Sequence, residues 1–80
     1  MMRAKMQVQW VEKFNGGSER VKMSYVTGNK PFGPEGESED NTFARYSPSG
    51  SLEITINNPN LAGKITPGQK FYLDFTLASE

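Results

Sequence analysis

Alternation of apolar and polar positions is the dominant feature of the chain. Ala4, Met6, Val8 and Trp10 are separated by Lys5, Gln7 and Gln9, a period of two that predicts a strand with one buried face. Val11 and Phe14 fall out of phase with that series, which predicts a β-bulge or a strand end between Val11 and Lys13. Asn15-Gly16-Gly17-Ser18 comes next; an Asn-Gly pair takes positive φ at low cost, so this is the best hairpin turn in the sequence. A second strand over Glu19 to Thr27 then points Val21, Met23 and Tyr25 inward and Arg20, Lys22 and Ser24 outward, and pairs antiparallel with the first.

The pattern breaks between Gly28 and Gly50. This stretch holds three of the five prolines and the acids Glu35, Glu37, Glu39 and Asp40, and reads as one long irregular loop of the kind that is often functional. Phe43, Ala44 and Tyr46 interrupt its polarity and are expected to tack its end onto the core as a short strand or a single helical turn. Alternation resumes at Ser51 to Asn57 with Leu52, Ile54 and Ile56 inward. Pro59 to Ala62 suits one helical turn with Gly63 past its end, and Pro67-Gly68 suits a type II turn. The final strand, Gln69 to Leu77, alternates Phe71, Leu73, Phe75 and Leu77 with Tyr72, Asp74 and Thr76.

These segments predict an all-β fold, a small antiparallel barrel or curled sheet of four to five strands with one long loop, in a single domain spanning 1–80. One face collects the inward side chains, with Val8, Ile54, Phe71, Leu73 and Phe75 expected in the core. Nothing in the pattern offers a long helix to cover that face, so it must curl closed, fold into a sandwich, or pack on a second copy.

Composition narrows the function. Eighty residues allow one small core, and domains of this size commonly need a disulfide, a metal or a partner subunit. Cys and His are both absent, which removes the disulfide, the usual zinc ligands and any Ser-His or Cys-His pair. No cofactor is expected, and the chain reads as a binding protein rather than an enzyme. Glu53 and Asp74 face outward on strands that could be neighbours, a conceivable acid-base pair, although a solvated strand surface accounts for both. The acidic run Glu35 to Asp40 lacks the ligand order and glycine of a calcium loop. Gly33-Pro34-Glu35-Gly36 has no Lys-Ser/Thr after it and so is no phosphate loop. Neither a signal-peptide core nor a membrane-spanning apolar run is present, which predicts cytoplasmic synthesis and no membrane role.

The net charge is zero, but its distribution is uneven. Residues 1–30 carry Arg3, Lys5, Lys13, Arg20, Lys22 and Lys30 against Glu12 and Glu19, whereas 31–60 carry Arg45 against Glu35, Glu37, Glu39, Asp40 and Glu53. In the hairpin, Lys5, Gln7 and Gln9 share the outward face with Arg20, Lys22 and Ser24, and Tyr72 could add a stacking platform. Lys5, Arg20, Lys22 and Tyr72 are therefore the candidate binding residues, for single-stranded nucleic acid or for a small anion such as a nucleotide held between subunits. Ordinary solvated lysines explain the same surface, and a dedicated nucleic-acid binder usually carries net positive charge.

In the second half, YSPSGSLEITINNP (Tyr46 to Pro59) followed by PGQKFYLDFT (Pro67 to Thr76) resembles small uncharacterised proteins encoded by tailed bacteriophages and prophages. The resemblance implies a bacterial host cytoplasm or a virion as the setting, and a structural or accessory role; it carries no activity with it. Taken together, the expectation is a non-enzymatic binding or assembly module whose partner is itself, as a homo-oligomer, or a host or phage protein.

Overall fold

The computed structural model describes residues 2–28 and 30–79; Met1, Asn29 and Glu80, which belong to the expected domain, lie outside the described residues. Four strands form one antiparallel sheet: β1 (Met2–Lys13), β2 (Glu19–Tyr25), β3 (Ser51–Ile56) and β4 (Lys70–Phe75), in the order β3-β2-β1-β4. The described residues contain strands and turns and no helix. The sheet curls into a half-barrel whose two outer strands are β3 and β4.

The alternation does what a period of two requires. Register pairs Met6 with Tyr25, Val8 with Met23 and Val11 with Val21 across β1 and β2. Ala4 pairs with Leu73 and Met6 with Phe71 across β1 and β4, and Val21 with Ile54 and Met23 with Leu52 across β2 and β3. Residues directly opposite share a face, so all of these point the same way. The turn between β1 and β2 is closed by the Phe14 N–H donating to the Ser18 carbonyl at 2.9 Å, with Gly16 and Gly17 both at φ 93°. Gly68 sits at φ 94° and the Gln69 N–H reaches the Thr66 carbonyl, the geometry of a type II turn with Pro67 and Gly68 at its centre.

Three local expectations need correction. The bulge lies between Val8 and Trp10 rather than at Val11 to Lys13. It rotates Trp10 onto the polar face, where it is 40 % exposed, and returns Val11 to the apolar one. Pro59 to Gly63 forms successive turns, not a helical turn. Phe43 does pack on the core, edge-on to Tyr25 at 6.1 Å, but in irregular backbone, and Tyr46 stays 64 % exposed.

The largest correction concerns the core. Ala4, Met6, Val8, Val21 and Met23 are buried, and every one of them is on a central strand. Of the other expected core residues, Leu73 is half-buried, while Ile54, Phe71 and Phe75 are 46 %, 37 % and 50 % exposed. They face the predicted side, but they sit on the outer strands of a sheet that does not close. Phe43 and Ile65 from the connecting loops cover only part of the apolar face, and the body is 16 Å through its thinnest axis.

The long loop is tied down by side chains rather than by a strand. β2 ends at Tyr25, leaving the first residues of β1 without a neighbour on that side. The side-chain amide of Asn41 fills the gap: its Oδ1 accepts the Lys5 N–H at 2.7 Å and its Nδ2 donates to the Val26 carbonyl at 3.1 Å. Thr42 Oγ1 accepts the Arg3 N–H at 2.8 Å. Asn41 is fully buried, as expected of a polar group whose bonds are all made within the protein.

Candidate functional site

The polar face of the sheet carries its chemistry where β1 and β4 meet the loop. Alternation on β1 and β4 and their register set Arg3 opposite Asp74 and Lys5 opposite Tyr72. The Arg3 guanidinium donates to both carboxylate oxygens of Asp74, at 2.6 and 3.1 Å, and lies 4.6 Å from the centre of the Tyr72 ring. That hydrogen bond holds the Asp74 carboxyl below the usual carboxylate range and raises the Arg3 guanidinium in turn.

Lys5 is almost enclosed. Its ammonium is 5.8 Å from the Tyr72 ring centre and 3.6 Å from Asp40 Oδ2, and the Tyr72 hydroxyl donates to Asp40 Oδ1 at 3.1 Å. A cleft of about 200 Å³ opens beside this cluster, lined by Gly28, Lys30, Ser38, Glu39, Asp40 and Tyr72. Two of these lining residues, Lys30 and Glu39, pair at 2.8 Å, a hydrogen bond that raises the Lys30 ammonium above its ordinary value.

Of the four candidate binding residues, Lys5 and Tyr72 are thus adjacent, whereas Arg20 and Lys22 are elsewhere. Arg20 is opposite Glu12 and Lys22 opposite Trp10, roughly 20 Å along β1 from Lys5 at about 3.3 Å per residue. Arg20 pairs with Glu12 at 3.7 Å and lies over the Phe14 ring at 5.5 Å. A second cleft, about 300 Å³, opens at that end among Lys13, Phe14, Glu19 and Gly63, and the buried Glu19 carboxylate accepts the Gly63 N–H there.

Glu53 and Asp74 are not neighbours, because β3 and β4 are the opposite outer strands. Asp74 is also held ionised by Arg3, the reverse of what a general acid requires. No cluster of His, Cys, Asp and Glu among the described residues is arranged to hold a metal ion. No helix long and apolar enough to cross a membrane is present among them either.

Sequence reasoning missed the residues that organise this end of the sheet: Arg3, Asp40, Asn41 and Thr42. The uneven charge was the available signal for two of them. The basic first third and the acidic loop meet each other, through Lys5 with Asp40 and Lys30 with Glu39, so much of the charge that suggested an external anion is matched inside the chain. No family model, no curated protein and no solved structure matches this chain.

Proposed function

We propose that this protein is a non-enzymatic assembly module that acts through protein–protein contacts, with a second copy of itself as its first partner. The carrying observation is the apolar stripe on β4, where Phe71 and Phe75 are 37 % and 50 % exposed on either side of half-buried Leu73 and Met2, opposite Phe75, is 41 % exposed, with Ile54 exposed on the other outer strand. Contiguous apolar surface of this kind marks an interaction site, and a small sheet without a covering layer gains most from burying it against another subunit. The resemblance of Tyr46 to Pro59 and Pro67 to Thr76 to small phage-encoded proteins supports a structural or accessory role in that setting.

The anion-binding reading has weaker support, because Arg3, Lys5, Arg20 and Lys30 each face a carboxylate within 4 Å. Size exclusion with light scattering, at low-micromolar concentration and again in 0.5 M salt, tests the assembly reading. A mass of at least twice the 8.9 kDa chain, stable to salt and falling on dilution, is expected. A mass of one chain throughout overturns it.

A further inference from the structure

We infer that the self-contact is made by the outer edge of β4, pairing antiparallel with β4 of a second copy about a two-fold axis through Tyr72. The inference rests on the assembly reading above and specifies its interface.

The backbone limits the possible registers. The Val8 N–H donates to the Gln69 carbonyl at 2.8 Å, and Met6 is opposite Phe71. Backbone groups alternate sides along a strand, so Phe71, Leu73 and Phe75 bond inward to β1. Lys70, Tyr72 and Asp74 therefore present their N–H and C=O groups to the outer edge. A second β4 must match these same residues. Centring on Tyr72 places Lys70 opposite Asp74, Tyr72 opposite Tyr72 and Asp74 opposite Lys70, so every outward backbone group of both strands is used. Centring on Leu73 or on Phe71 shifts the strands by two residues and leaves an outward residue of each strand opposite a position beyond the strand's end.

The side chains select the same register. Lys70 makes no ion pair among the described residues, and across the axis it meets Asp74, which Arg3 keeps ionised from the other side. On the apolar face, Phe71 of each copy meets Leu73 of the other at the closer, non-hydrogen-bonded spacing. The half-exposed apolar side chains of β4 then lie in the middle of a continuous sheet rather than at its edge. Such a contact is isologous and closes at two subunits.

The other outer strand does not offer this. The Tyr25 N–H donates to the Gly50 carbonyl, so by the same alternation Ser51, Glu53 and Thr55 carry the outward groups of β3. Its fullest self-register sets Glu53 directly against Glu53, and like charges directly opposite are unfavourable.

Cysteine cross-linking tests the register, since the chain has no cysteine of its own. Phe71→Cys and Leu73→Cys are prepared separately, then oxidised alone and as a mixture. The inferred register predicts a disulfide-linked heterodimer from the mixture and little product from either alone, because opposed residues lie within disulfide range while the diagonal pair does not. Efficient linking of either variant with itself overturns the register. Lys70→Glu, which alters no ion pair within the subunit, should raise the dimer dissociation constant about tenfold by setting carboxylates against each other. Dimers that show no mixed cross-link and ignore Lys70→Glu would overturn the β4 edge but leave self-association standing. A single-chain mass for the unmodified protein would overturn both.

Discussion

β3 and β4 are both six-residue outer strands with the same alternating pattern and an apolar face turned toward the core. They differ in what their outward-bonding residues carry. β4 has Lys70 and Asp74 symmetrically placed about Tyr72, so the strand is its own complement. β3 has a lone acid at its centre, Glu53 between Ser51 and Thr55, and is repelled by its own copy. An edge strand is a template for whatever can pair with it, so under the proposed assembly one charge position would decide which side of this sheet associates and which remains an end. A third edge completes the comparison: the start of β1, beyond the end of β2, is capped within the chain by Asn41 and Thr42.

Removing that cap gives the largest expected effect. Asn41→Ala leaves the Lys5 N–H and the Val26 carbonyl without their partner in a place closed to solvent, and each such orphan costs about 1–3 kcal/mol. A loss of roughly 2–4 kcal/mol is expected from urea unfolding, a large share of the stability of a small domain. Asn41→Asp restores the acceptor but not the donor and should fall between. If Asn41→Ala unfolds within a few tenths of a kcal/mol of the parent, the loop is not holding the β1 edge.

The centre and the edge of the apolar face can be compared in the same way. Alternation alone would class Phe75 with Val21, and full burial would put Phe75→Ala at about 3–5 kcal/mol. Val21 is fully buried and Phe75 half exposed, so Val21→Ala should cost about 2 kcal/mol and Phe75→Ala about 1–2 kcal/mol despite its larger side chain. Equal unfolding midpoints at protein concentrations below the dimer dissociation constant would agree with this. A Phe75→Ala loss twice that of Val21→Ala would mean that β4 is covered even in the monomer.

Much of this fold is legible in the sequence, and the limits are physical. A period of two identifies strands and faces, so four strands, the Asn-Gly hairpin and the Pro-Gly turn follow from local pattern. It carries no information about which strands are neighbours. That β4 pairs with β1 and leaves β3 on the far side depends on long-range packing, and with it goes the exposure of Ile54, Phe71 and Phe75. The bulge moved only slightly, yet a one-residue slip reverses every later side chain, which is why Trp10 and Val11 exchange faces. At the polar end, Lys5 and Tyr72 were legible as outward residues of adjacent character. Asn41 was not, because a buried amide splice inside a Ser/Asp/Asn-rich loop leaves the same trace as a solvated turn.

Acid should test the contact proposed at β4. The Asp74 pKa is depressed in the folded protein by its hydrogen bond from Arg3. A group of that kind contributes stability that is present above its unfolded value, near 3.8, and is lost as pH falls through the lower folded value. The Lys70–Asp74 contact across the dimer axis should therefore survive at pH 5 and weaken only below about pH 4. Light scattering across this range should show the β4 dimer holding to about pH 4; dissociation already at pH 6 would show that Asp74 is not at the contact.

The smallest change in energy bears most directly on the contrast between the edges. Glu53→Thr removes a directly opposed pair of like charges, worth under about 1 kcal/mol, and replaces it with a residue suited to strands. Ser51 and Thr55 already face each other in that register, so the altered β3 edge has no remaining charge to oppose pairing. With β4 able to dimerise as before, each subunit then has two self-complementary edges at opposite sides of one sheet. Two different two-fold contacts on one subunit do not close at a dimer; alternating, they add subunits until the curl brings the ends together or the chain of subunits continues. Glu53→Thr should therefore shift the mass distribution above two chains at concentrations where the parent is a dimer, and adding Lys70→Glu should reverse the shift by weakening the other edge. If Glu53→Thr leaves a sharp dimer at every concentration up to the millimolar range, Glu53 is not what keeps β3 unpaired, and the difference between the outer strands must lie in their twist or in the loops beside them.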